Sequence, residues 1–485
     1  MKSHASTLLL ALIFPTLSTA ADWNQWRGPN RDGLVVDSPQ LIDQLPKEGL
    51  KPLWISHEDI PSARSGGWAS PIVWNDRVYI FAHIKTRLGE GQLPKRKYPY
   101  LSPDKRTGMS DEEFAEYEKN RRAEEFSIGK KYRFDEVVYC LDARSGDTLW
   151  KNERESVYTR FPQSGSPAVI DGKLYVLGAG RVARCMDASD GKDVWESKLS
   201  GEFDDEFLQS SFAVSNGVAC VLCGHLFGID IKSGKVLWQG DPQDTAGTHT
   251  SPVVWQHQGQ HYFVVNVDRN KTICIESKSG KELWRIESES GHSTPIIVND
   301  LLITYGNSRK KGLRAYQMSL TDAKHLWTFQ GSGDSGSSPV VVGDYVYVQG
   351  EKRLACVALE DGSTVWQTTL DLANPRYASL IAADNKVFYA WEGLLCFEAN
   401  PEEFKQLMSA KFNEAGLMAE ESTHRKLLNI DELEKSAEGQ KKAVSLWRSQ
   451  IDRQGPLTCT TPAIADGKLY LRMSNKIVCY DLVEH

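Results

Sequence analysis

The sequence predicts an all-β chain, an eight-bladed β-propeller of four-stranded antiparallel blades closed by an N-terminal strand. Three observations carry this. Eight tryptophans (Trp54, Trp150, Trp195, Trp238, Trp284, Trp327, Trp366 and Trp447) mark one position of a repeat, and from Trp150 to Trp366 the gaps are 45, 43, 46, 43 and 39 residues. A period of that size is the mark of a propeller blade or a solenoid unit, which cannot bury its apolar faces alone and must stack. Each unit also carries two turn signals bracketing β-branched and aromatic runs, the pattern of a meander. Finally, the chain supplies only three strands after Thr461-Pro462, whereas Lys51–Ile55 reads as an outermost strand with nothing before it. The N-terminal strand is therefore expected to complete the last blade and remove its open edge.

The elements follow in order within each unit. A small residue and proline open it, as in Ser70-Pro71, Ser166-Pro167, Ser251-Pro252, Thr294-Pro295, Ser338-Pro339 and Thr461-Pro462, with Ser211-Phe212 and Ser379-Leu380 in the other two copies. A tight-turn pair such as Asn75-Asp76 or Asp171-Gly172 comes four residues after the Pro position. Such residues tolerate the positive φ of a two-residue hairpin. Second and third strands follow (Leu174–Leu177, Val138–Asp142), then a turn ending in Gly146, Gly191, Gly234, Gly280 or Gly362, four residues before the Trp of the fourth strand. Eight such meanders set radially make a propeller.

Residues 1–20 read as a secretory signal, with Lys2 before an apolar stretch from Leu8 to Leu17 and the small residues Ser18-Thr19-Ala20 at the cut. The protein is expected to be exported, periplasmic or secreted, with no cysteine near the cut for a lipid anchor. Residues 21–49 form an N-terminal segment and residues 50–485 the propeller. Net charge is −7, so nothing suggests a nucleic-acid surface.

Nine cysteines in an exported chain would ordinarily suggest disulfides. Here Cys140, Cys185, Cys274, Cys356, Cys396 and Cys479 share one third-strand position, where the other copies have Gly228 and Ala315. The position demands smallness, and equivalent sites in neighbouring blades lie too far apart to bridge. These are read as buried thiols. Cys220 and Cys223 lie within one strand, three apart and on opposite faces, which argues against zinc or thioredoxin chemistry.

Two stretches break the period. Residues 84–134 in blade one are charged and include a helix from Ser110, where Glu113 completes a capping box. Residues 400–445 in blade seven are expected to replace the turn before its Trp with helical sequence from Pro401 and around Ile430–Glu438. Insertions of this kind either bind something or cover blade edges. Trp23–Gly33, containing Trp26-Arg27-Gly28-Pro29, has no repeat counterpart.

The strand–turn–Trp signature, as in Cys140–Trp150, resembles the repeat of the pyrroloquinoline-quinone (PQQ) propellers over residues 50–485. That group comprises quinoprotein dehydrogenases and non-enzymatic relatives, among them the propeller subunit of the outer-membrane barrel-assembly machinery. The Trp26–Pro29 opening is similar to that of secreted PQQ-like repeat proteins. The resemblance implies fold; its repeat residues pack blades and do no chemistry. The enzymes' vicinal cysteine pair has no match, no haem-attachment CxxCH occurs, and no calcium set or catalytic Asp is placed by local motif.

Chemistry is expected where the loops before each innermost strand converge. Three residues before the Pro position the copies read Trp68, Ser164, Gln209, His249, His292, Gly336, Tyr377 and Cys459. Variety at one turn of a ring, above repeating core positions, is the pattern of a binding surface. The loops upstream are sorted by charge: Arg376, Arg453, Arg64 and Arg160 on blades seven, eight, one and two; Asp205, Asp244, Glu289 and Asp334 on blades three to six. A bipolar mouth would orient an anionic ligand, the alternative being that these are solvated loop charges. His249 and His292 sit at equivalent positions in adjacent blades near Asp244 and Glu289, a set that would suit a divalent metal or simply a polar rim. Two functions remain. One is an exported binding or scaffold propeller, expected to be monomeric, holding an unknown protein partner or a small anionic ligand. The other is a PQQ-dependent alcohol or sugar dehydrogenase with Ca²⁺, its arginines gripping the quinone carboxylates. The missing apparatus favours binding.

Overall fold

Eight antiparallel sheets follow one another along the chain in a computed structural model, which describes residues 22–484 except 202–206 and 373–376. The expected signal segment, Asp205 and Arg376 lie outside the described residues. Blade one consists of Ile72–Trp74, Arg77–Arg87, Tyr132–Asp142 and Thr148–Glu155, paired in that order. The next six blades repeat the meander. In the eighth, Trp54–Ile55 pairs with Lys476–Asp481, Trp54 opposite Cys479. The ring closes through the N-terminal strand, and the fold is the eight-bladed propeller.

The register explains the repeat. On the third strand the small residue faces the fourth-strand Trp: Cys140 opposite Trp150, Gly228 opposite Trp238, Ala315 opposite Trp327, Cys356 opposite Trp366. At Gly228 an added Cβ would lie 2.0 Å from the Trp238 ring. None of the nine cysteines forms a disulfide, and eight are buried.

Each Trp then joins its blade to the next. Its indole N–H donates to a carbonyl of the following blade's third-strand turn: Trp54 to Ala143 O, Trp195 to Ile231 O, Trp327 to Leu359 O, at 2.8–3.0 Å. The turn glycine of that following blade lies flat on the same ring. Gly146, Gly191, Gly234, Gly280 and Gly362 all have φ between 71° and 78°, and a Cβ on any of them would come within 2.4–2.8 Å of the neighbouring Trp. Trp150 is the exception. The equivalent acceptor, Ala188 O, is taken by the Tyr79 hydroxyl at 3.0 Å, and the Trp150 N–H has no partner.

Two expectations about blade seven are corrected. Trp447 does not mark a blade; it ends the helix Ala437–Trp447. The fourth strand is Gln406–Phe412, with Met408 opposite Cys396 in the Trp place. No helix starts at Pro401: the turn before this strand is short, and the helical insertion comes after it, at Glu421–Leu427, Ile430–Leu433 and Ala437–Trp447, between blades seven and eight. In blade one the inserted helix is Asp111–Gly129, with the Ser110–Glu113 capping box formed in both directions. Among the described residues no helix is long and apolar enough to cross a membrane.

The N-terminal segment does more than lead into the closing strand. Trp23 pairs with Val73 of blade one, and Asn24 O accepts from Val169 of blade two. Val35 donates to Ala382 O of blade seven, and Ile42 to Leu482 O of blade eight. Residues 23–35 thus cross the channel between innermost strands as a plug. Two buried arginines fasten the crossing to the strand ends, with the positive φ values of Arg27, Gly28, Arg31 and Gly33 letting it fold tightly. Arg27 donates to Asp32 O (3.0 Å), Leu380 O (3.2 Å) and Pro339 O; Arg31 to Gln25 Oε1 (2.9 Å), Ser211 O (3.3 Å) and Phe212 O. Burial lowers both guanidinium pKa values, to about 10 and about 9.

Candidate functional site

The small residue opening each blade builds a belt around the channel. A blade's backbone N–H donates to the hydroxyl of the next: Ser70 to Ser166, Ser166 to Ser211, Ser211 to Ser251, Ser251 to Thr294, Ser338 to Ser379 and Thr461 to Ser70, at 2.8–3.1 Å. Between blades seven and eight the belt takes in the plug, because the Trp26 indole N–H donates to Thr461 Oγ1 at 3.1 Å. A buried amide left unpaired would cost about 1–3 kcal/mol. The Ser/Thr requirement therefore comes from closing the ring.

Above this belt lies a cavity of about 260 Å³. All eight residues three positions before the Pro line it: Trp68, Ser164, Gln209, His249, His292, Gly336, Tyr377 and Cys459. Belt hydroxyls form its lower wall and Trp26 closes its floor, joined by Phe161 and Phe207 from the adjoining loops. The aromatic groups form a connected arc. Ring centroids are 6.4 Å apart for Trp68–Phe207, 5.0 Å for Phe161–Phe207, 5.4 Å for Phe207–His249 and 4.5 Å for His249–His292.

The two histidines do meet. Burial, then the proximity of His292 and Arg269, lowers the His249 pKa to about 4, and burial and Arg269 do the same for His292. Both imidazoles are neutral at pH 7. Among the described residues no three His, Cys, Asp or Glu side chains come together in a metal-holding group.

The charged residues take other places: of those among the described residues, Arg64, Arg160, Arg453, Asp244, Glu289 and Asp334, none lines the cavity. Arg64 and Arg160 each lie over the Phe161 ring, 5.3 Å from its centroid. Arg453 is exposed after the blade-seven helices. Asp244 is exposed, with its carbonyl accepting from Arg285. Glu289 pairs with Lys311 at 2.8 Å. Asp334 is buried, its Oδ1 accepting the backbone N–H groups of Gly336 (2.9 Å), Ser337 (2.6 Å) and Tyr377 (3.2 Å). That carboxylate shapes the loop holding Tyr377. A tricarboxylate quinone with its Ca²⁺ calls for cations and carboxylates, which the described lining of aromatics, hydroxyls, one amide, neutral imidazoles and a thiol does not supply.

Sequence reasoning missed three lining aromatics. Phe161 and Phe207 precede the mouth position at unequal distances in loops that do not align. Trp26 belongs to the segment without a repeat counterpart, and that uniqueness was the available signal. The same segment lines a second cavity, of about 520 Å³, at the other end of the channel through Gln25, Pro29–Asp32 and Leu34.

An eight-bladed propeller with a tryptophan-marked blade and a belted channel crossed by the N-terminal segment is of the PQQ-like repeat class. The sequence profile of the family described as outer membrane protein assembly factor BamB matches residues 134–256 and 224–418, and the chain belongs to that family. It is similar to the outer membrane protein assembly factor BamB of Salmonella typhimurium, 21% identical over 361 residues, covering 68% of this chain and 87% of that protein. It is also similar to the quinohemoprotein alcohol dehydrogenase ADH-IIG of Pseudomonas putida, 28% identical over 144 residues but covering only 26% of this chain and 20% of that protein. Among solved structures, the quinohemoprotein alcohol dehydrogenase of Comamonas testosteroni aligns with a TM-score of 0.56 at 11% identity, over 96% of this chain and 81% of that one, a likeness of fold.

Proposed function

We propose that the protein is an exported binding or scaffold propeller that holds its ligand or partner at the channel mouth. The observation that carries this is the cavity lined by all eight variable residues above an invariant Ser/Thr belt. Concave, largely aromatic pockets with a few convergent polar groups are where proteins take ligands. The reading is supported by the family, whose members are named assembly factors. It is also supported by the lining, in which the described residues offer aromatic surface and neutral polar groups.

The test has two arms. A photo-crosslinking residue at Trp68, compared with one at the outer-edge Leu149, is expected to capture a partner or ligand only from the mouth when expressed in the native envelope. Reconstitution with PQQ and Ca²⁺ is expected to yield no cofactor spectrum and no dye-linked alcohol oxidation. Clear turnover in the second arm would overturn the reading in favour of the dehydrogenase.

A further inference from the structure

The belt hydroxyls have a property that the mouth reading leaves unused. Ser70, Ser166, Ser211, Ser251, Thr294 and Ser379 each accept a backbone N–H through Oγ. A hydroxyl is one donor as well as an acceptor. Among the described residues, none of these six donates its proton to a protein acceptor, and all six line the mouth cavity. A ring of O–H donors therefore surrounds the cavity base on most sides, with Gln209 adding an amide above it.

The walls impose the opposite requirement. Trp68, Phe161, Phe207 and Tyr377 offer aromatic surface, and Trp26 lies beneath. A wholly apolar occupant would strand the hydroxyl protons away from water, which is costly. A charged occupant would give up its hydration against described lining residues that carry no charge, His249 and His292 being neutral there. The fit is an uncharged group with many oxygen acceptors around its edge and apolar C–H faces above and below. A sugar ring has that chemistry. The cavity's 260 Å³ is below the roughly 300–1,000 Å³ of sites that enclose a whole drug-sized ligand, so one ring enters and the rest of its chain leaves through the mouth.

We propose that the mouth cavity binds one residue of a neutral glycan, stacked between the aromatic walls and held by the hydroxyl belt. This rests on the reading of the mouth as the binding site. The full-length protein would be titrated with neutral hexasaccharides (maltohexaose, cellohexaose, xylohexaose and chitohexaose), following tryptophan fluorescence and heat. A hexagalacturonate and an unstructured neutral peptide would serve as comparison probes. At least one neutral hexasaccharide is expected to bind, at least tenfold more weakly in Trp68→Ala and Phe207→Ala, with Trp68→Phe restoring most of the affinity and Leu149→Ala leaving it unchanged. Trp68 is only half-buried, so these variants report on binding with the fold intact; unchanged thermal melting would verify that. Failure of all four saccharides to bind, equal or tighter binding of the acidic saccharide, or Trp68-independent binding overturns the glycan assignment. Trp68-dependent binding of the peptide alone would also overturn it while leaving the mouth as the site, whereas loss of mouth crosslinking would overturn both.

Discussion

The indole N–H of Trp26 reaches Thr461 Oγ1 over 3.1 Å, so a residue from the unique N-terminal segment stands in the hydroxyl belt that the other blades build for themselves. One contact thus serves two purposes. It completes the ring at blade eight and sets an aromatic floor under the mouth. Arg27, the next residue, anchors that floor through three carbonyls while buried from water.

Replacing Arg27 by Met is therefore expected to be costly although it removes a charge from the interior. The carbonyls of Asp32, Pro339 and Leu380 keep their burial and lose their donor, at about 1–3 kcal/mol for an unsatisfied group. Relief of the guanidinium's desolvation offsets part of this. Urea unfolding should show a loss of about 3 kcal/mol, against within about 0.5 kcal/mol for Arg453→Ala on the surface. Equal effects for the two would show that the plug is not fastened through Arg27.

The turn glycines give a sharper comparison. Gly191 and Gly217 share positive φ, at 72° and 81°. A Cβ on Gly191 would sit 2.4 Å from the Trp150 ring, whereas one on Gly217 would meet nothing within 4 Å. Gly217→Ala should cost only the left-handed backbone strain, about 1–2 kcal/mol. Gly191→Ala adds an overpacking term of about 1–3 kcal/mol. The difference in unfolding free energy between the two variants measures that term, and a difference near zero would mean the neighbouring Trp moves aside freely.

These same residues show how much was legible. Blade packing repeats, so the positions of the Trp, its glycine and its small strand partner recur and could be aligned by eye. The mouth was legible by the opposite test, as the aligned position where the copies disagree. Met408 was not, because it keeps the packing role but not the residue type, and Trp447 stood nearby to be mistaken for it. The plug was not legible either: Trp26 reaches a hydroxyl 435 residues away, and Arg27 and Arg31 act on distant backbone carbonyls that carry no side-chain signal. Nor could the sequence reveal that Asp334 and Glu289, counted as rim charges, are committed to backbone amides and to Lys311.

The histidine pair predicts a pH dependence. Both folded-state pKa values are lowered to about 4, from an unpaired value near 6.5. The unfolded chain therefore binds more protons between pH 6.5 and 4, and stability falls as pH falls through that window. Comparing urea unfolding at pH 7.5 and 5.0, the double variant His249→Asn/His292→Asn should lose less stability on acidification than the wild type. An identical loss in both proteins would place the acid sensitivity elsewhere.

Thiol chemistry separates Cys459 from the rest. The other eight cysteines are buried, and desolvation pushes their thiol pKa values up where a shift is resolved, to about 12 for Cys140 and about 11 for Cys185. Cys459 is exposed as a residue, yet its thiol lines the mouth cavity and is pushed up to about 11 by desolvation. Iodoacetamide on native protein at pH 8 should label Cys459 alone, and more slowly than free cysteine, since the thiolate is the nucleophile. All nine should be labelled after denaturation without reductant. Four disulfides in the mass spectrum would show the strand register to be wrong.

Deletion of residues 21–56 tests the closure and the plug together. It removes Trp54, whose pairing with Cys479 supplies the outer strand of blade eight and whose indole N–H reaches Ala143 O of blade one. It also removes Trp26, Arg27 and Arg31, which tie blades three, six, seven and eight across the channel. The shortened chain keeps three strands of blade eight with one unprotected edge, and such an edge pairs with other chains. Gel filtration is expected to show aggregates, and thermal melting to lose its single cooperative step. Adding the missing segment in trans as a peptide should restore part of the soluble monomer, because the edge and the channel are both still there to receive it. A soluble monomer melting at the wild-type temperature without the peptide would mean that the ring is held by blade-to-blade contacts alone.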